Sequence, residues 1–134
     1  MDTESLVEKL IDDGEKLVER ISLGGFPVTA AFWLRASENE RWYFYIVSPL
    51  VDDEGLAQAY RRLHPFVWGV SEPLWIDPLE IKLIGPSNPI AQDVLAIHRR
   101  APGSRVSPIR WGGKMLGNLS VEGAYLYPLP VTTP

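Results

Sequence analysis

The feature that most restricts this chain lies between residues 26 and 47. Two runs dense in aromatic and β-branched side chains, 26–35 and 41–47, flank the polar break Ala36-Ser37-Glu38-Asn39-Glu40. Such side chains suit a pleated, half-buried surface, and the charged break between them predicts a β-hairpin. Side chains alternate along a strand, so Val28, Ala30, Phe32 and Leu34 make one apolar face of the first run. Thr29, Ala31, Trp33 and Arg35 make a mixed one. In the second run Trp42, Phe44 and Ile46 oppose Tyr43, Tyr45 and Val47, and neither face is plainly polar. The hairpin is therefore expected inside a larger sheet with helices on at least one face, its tyrosines on the wetter side.

With 134 residues, the chain suits one domain with an adequate core. The absence of cysteine rules out disulfides and thiolate metal sites and makes the reducing cytoplasm the expected compartment. The acidic start, Met1-Asp2-Thr3-Glu4-Ser5, is unlike a signal peptide, and no apolar run approaches the roughly 18 residues of a membrane span. A soluble, unprocessed cytoplasmic protein is expected, with no membrane partner.

Before the hairpin, Leu6, Leu10, Leu17 and Ile21 recur at helical spacing, with Asp2 or Thr3 as cap and Gly24-Gly25 as stop. Gly14 inside this helix marks a kink or a close contact. After Val47, Ser48-Pro49 breaks the strand. Asp52-Asp53-Glu54 begin a second helix with the stripe Leu56, Tyr60 and Leu63, which Pro65 ends. Residues 65–78 carry three prolines, yet also Phe66, Trp68, Leu74, Trp75 and Ile76, so an ordered loop is predicted there. A strand over 79–84 follows. Asn88 and Pro89 open a third helix, which Pro102-Gly103 ends. Strands at 105–111, 114–116 and 119–127 are separated by glycine turns at Gly112-Gly113 and Gly117-Asn118.

These elements run α-β-β-α-β-α-β-β. They predict an α+β single domain over 1–127, with a mixed, largely antiparallel sheet of about five strands and three helices packed mainly on one face. A proline-rich C-terminal tail covers 128–134.

Charge is distributed unevenly: −7 over residues 1–58, −1 over 59–93 and +4 over 94–134. The acid-free window from Val94 to Val121 holds Arg99, Arg100, Arg105, Arg110 and Lys114. An anionic ligand or nucleic acid is a possible partner for this basic 98–114 segment, against the plainer reading of solvated charges. The plain reading also suits His64 and His98, as solvated histidines favoured at helix ends.

Chemistry is sparse. Glu80 and Lys82 form an acid-x-Lys pair on the expected strand, the arrangement of a metal-dependent phosphodiesterase or nuclease in which Asp52, Asp53 or Asp77 supplies the second carboxylate and Mg or Mn activates water. Composition alone generates such pairs often. Without a stronger catalytic set, the expectation is a non-enzymatic binding or protein-interaction module with no cofactor. It would use aromatic and arginine side chains of the kinds enriched at interfaces, with Trp33, Tyr43 and Tyr45 contributing beside the main set. That set is Trp68, Trp75, Arg99, Arg100, Arg105, Arg110, Trp111 and Lys114, facing a protein partner or a second copy of the chain.

Overall fold

The computed structural model describes residues 8–35, 41–68, 75–100, 109–117 and 119–128, with the side chains of 109–114, 116, 119 and 120 outside the description. The expected cap at Asp2 or Thr3, the residues 101–108 with Arg105 and Pro108, and most of the C-terminal tail lie outside the described residues. Within them stand helices α1 (Glu8–Leu23), α2 (Pro49–Glu54), α3 (Leu56–Val67) and α4 (Pro89–Arg100). The strands are β1 (Ala30–Arg35), β2 (Tyr43–Val47), β3 (Ile81–Ile84), β4 (Ile109–Leu116) and β5 (Leu119–Leu126). They form one α+β domain around a single sheet.

The sheet has the order β3-β2-β1-β5-β4. β1 pairs antiparallel with β2 (Phe32 opposite Tyr45) and with β5 (Phe32 opposite Leu126); β2 and β3 run parallel, and β4 and β5 antiparallel. The parallel pair follows from α2 and α3, since only a crossover returns the chain in the same direction.

β1 is buried along its whole length. Ala31, Trp33, Phe44, Ile46, Tyr125 and Tyr127 pack with Ile11, Leu17 and Ile21 of α1 and Ala59 and Leu63 of α3. On the other side Ala30, Phe32, Leu34, Val47, Ala124 and Leu126 pack with Ala91 and Val94 of α4. Helices therefore cover both faces, where the sequence suggested mainly one. The cause is β1 itself, whose small and aromatic side chains leave neither face suited to water. Trp33, expected at a surface, is fully buried for the same reason.

Several boundaries differ from the sequence reading. Ser48-Pro49 starts a helix: the Ser48 hydroxyl accepts from the Leu50 amide at 3.2 Å, and Pro49 sits where a missing N–H is harmless. Asp52 is thus inside α2, where it accepts from the Ser87 amide and hydroxyl and fastens the turn after β3. Gly55, with φ of 92°, separates α2 from α3, giving four helices in place of three. Pro65 lies within α3; it removes its own bond to the preceding turn, but the Trp68 amide still donates to the His64 carbonyl at 2.9 Å and the helix continues to Val67. Gly112-Gly113 makes no turn but runs inside β4, with Gly112 opposite Gly123. Beyond these glycines Val121 packs with the α4 cluster, although Tyr125 of the same strand and Tyr127 just after it pack with the α1 cluster. The backbone freedom of glycine lets the hairpin change side there. Its tip, Gly117, donates to Asp93 of α4 at 2.6 Å.

Tyr127 and His98 place polar groups in the interior. The Tyr127 hydroxyl donates to the Ile11 carbonyl at 2.5 Å and accepts from Trp33 Nε1 at 2.9 Å. Gly14 passes directly over that hydroxyl, so the expected close contact is real and a Cβ there would overlap it. His98, expected to be solvated, is only 4% exposed on α4. Burial pushes its basicity below the usual histidine range.

Two outcomes follow. Gly14→Ala, favourable by about 1 kcal/mol in an ordinary helix, is expected here to lower stability by about 1–3 kcal/mol in urea denaturation because the overlap exceeds the helical gain. For His98, the unfolded chain takes up a proton more readily than the folded one. Its contribution is therefore complete above the ordinary value of 6.5 and is lost as pH falls below it. Unfolding measured between about pH 7 and 5 should show a smaller loss in His98→Gln than in the parent.

Candidate functional site

The outer flank of α3 carries the most distinctive surface among the described residues. Leu63 and Ala59 turn into the core, and the 3.6-residue repeat then sets Ala57, Tyr60, Arg61, His64 and Trp68 along a stripe on the opposite side. These five line an open groove of about 380 Å³. His64 and Trp68 stack at 4.6 Å with their planes 13° apart, and Trp68 remains 43% exposed. Stacking orients the indole before any partner arrives, which lowers the ordering cost of binding.

Tyr60 fixes the inner wall. Its hydroxyl donates to the Ile81 carbonyl at 3.3 Å and accepts from the Leu83 amide at 3.0 Å. These backbone groups belong to the outward edge of β3, the last strand on that side of the sheet. An unpaired edge invites another strand. Here a phenol occupies it, so the groove is bounded by side chains, and the Tyr60 ring is held against the sheet.

The other proposed binding residues are distributed more widely. Trp75 is 69% exposed, with Lys9 Nζ 3.9 Å from its ring centre. Its amide donates to the buried Asp13 carboxylate, which ties the segment before β3 to α1. Arg99 and Arg100 are exposed at the end of α4. Arg110, Trp111 and Lys114 fall on the edge strand β4, opposite Tyr125, Ala124 and Val121, with their side chains outside the described set. Arg105 lies outside it altogether.

The acid-x-Lys pair takes another form than expected. Glu80 ends a single 3-10 turn, Pro78–Glu80, and β3 begins only at Ile81. Asp77 caps that turn by accepting from the Leu79 amide at 2.9 Å, a local bond that competes with strand geometry. Glu80 therefore lies in the turn before β3 and not on the strand that carries Lys82. Glu80 pairs with Arg41 at 3.2 Å, and Lys82 Nζ lies 4.8 Å from the Tyr43 ring centre. Asp53 is an exposed residue of α2. Among the described residues no three His, Cys, Asp or Glu side chains gather as a metal site would require.

One group went unnoticed as a site candidate in the sequence. Arg35, the last residue of β1, is 5% exposed, and its guanidinium lies 5.5 Å from the centre of the Trp42 ring. The signal was present: Arg35 follows Ala31 and Trp33 at strand spacing and so must share their buried face. The groove residues Arg61 and His64 were also passed over, because their place near a helix end already explained them. Compared with protein-family models, characterised proteins and solved structures, the chain matches none.

The Glu80–Arg41 pair is largely exposed on the arginine side. Glu80→Ala is expected to cost no more than about 1 kcal/mol in urea denaturation, and a larger loss would assign Glu80 a role beyond this ion pair.

Proposed function

We propose that the protein is a non-enzymatic interaction module whose α3 groove receives a segment of a protein partner. The observation that carries this reading is the exposed, pre-stacked Trp68 at the end of an open groove lined by Tyr60, Arg61 and His64. Tryptophan, tyrosine and arginine are the residue types enriched among the few side chains that dominate interfaces. The groove suits an apolar anchor side chain from the partner, with an acidic neighbour to meet Arg61. Arg62, one position on, is already engaged with Glu54 at 3.0 Å, which leaves Arg61 as the cation of the groove wall. Among the described residues Arg61 itself reaches Gln58, at 3.5 Å.

Selection of a random peptide display library on the parent protein, with counter-selection on Trp68→Ala, tests the reading. The expected result is a family of sequences pairing an aromatic or large aliphatic residue with a nearby Asp or Glu. Their affinity should fall about tenfold or more in Trp68→Ala and less in Arg61→Ala, while both variants keep the parent's stability within about 1 kcal/mol. Selected peptides that bind both variants as well as the parent would overturn it.

A further inference from the structure

We infer that Arg35 and Trp42 form a receptor for an oxyanion at the end of the sheet opposite the Gly24-Gly25 turn, separate from the α3 groove. Arg35 keeps its positive charge in any ordinary protein environment. It is nevertheless 95% removed from solvent, since its exposure is 5%. Among the described residues its Nε and Nη1 have no hydrogen-bond partner, and neither has the buried Nε1 of Trp42. Among the described residues no carboxylate pairs with this guanidinium; a desolvated cation left so is strongly unfavourable, and native chains keep such a group where something else supplies the missing acceptor.

The local architecture explains how the charge is held. Arg35 stands opposite Gly123 of β5. Trp42, just before β2, reaches across to that glycine: a Cβ at Gly123 would lie 2.9 Å from the indole Cη2. The indole thus covers Arg35 by lying where a side chain on β5 would otherwise stand. Gly112 on β4, opposite Gly123, continues the row without a side chain. The cation rests against the indole face, an arrangement that offsets part of its desolvation but leaves its N–H groups unmet. Every unmet polar atom in the cluster is an N–H donor. A donor-only cluster around a fixed positive charge selects an acceptor carrying negative charge, which a carboxylate or a phosphoryl group provides.

The test is calorimetric titration of the intact chain with sodium phosphate and with sodium acetate, against sodium chloride at equal ionic strength, with thermal melts in parallel. A saturable heat with at least one anion is expected, together with a rise in Tm of about 3 °C or more near 20 mM ligand. Both should disappear in Arg35→Met, which keeps the length and apolar body of the side chain, and persist in Lys16→Ala, which removes an exposed cation of α1. Response to phosphate alone assigns a phosphoryl-bearing ligand; response to acetate assigns a carboxylate. Should Arg35→Met fail to fold, Arg35→Lys takes its place, with binding weakened at least tenfold expected because an ammonium lacks the planar fork. The absence of saturable heat in the parent protein, or an equal response in Arg35→Met, would overturn the inference.

Discussion

The burial of β1 on both faces is the constraint from which the rest of the architecture follows. A strand whose six residues are all removed from water needs hydrogen-bonded neighbours on both edges and helices on both sides. β2 and β5 supply the edges. α1 and α3 cover one face and α4 the other. The Tyr127 hydroxyl ties these layers together, since it joins the α1 backbone to the Trp33 indole through one buried group. Low local dielectric strengthens such bonds and makes their loss correspondingly costly.

Once the middle of the sheet is settled, function is left to its margins. The β3 edge is closed by Tyr60. This residue does two things: its hydroxyl blocks strand addition, and its ring becomes a wall of the groove that ends at Trp68. The groove is therefore built on a helix that packs into the core rather than on a free loop, and its geometry is held by the same contacts that stabilise the domain. No described helix is long and apolar enough to cross a membrane.

The end of the sheet near Arg35 obeys a different logic. There the chain places a charge where the alternation of β1 demands an inward side chain, and it uses two glycines and an indole to make room. Buried polar groups that are fully met by the protein usually serve stability. Arg35 and Trp42, whose buried N–H groups are not met among the described residues, mark the place where local consistency is relaxed.

Much of the fold was legible from short-range patterns. The β1–β2 hairpin, the α1 stripe, and the opening of α4 at Asn88 and Pro89 were all written in local spacing, and the Asn88 side chain does accept from the Ile90 amide. These features depend on neighbours within a few residues, so the sequence by itself determined them. Whether Gly112-Gly113 turns the chain or lies flat in β4, whether Pro65 ends a helix, and whether Glu80 belongs to a strand depended on partners such as Gly123 and Asp77 and on where the chain closes its turns. The candidate sites were less legible still. Trp68 and Trp75 stood out by type, but the groove exists only because α3 turns Leu63 inward, and Arg35 matters only because Trp42 covers it. Tertiary structure alone decided these points, because burial and pairing are properties of side chains far apart in the chain that the sheet brings together.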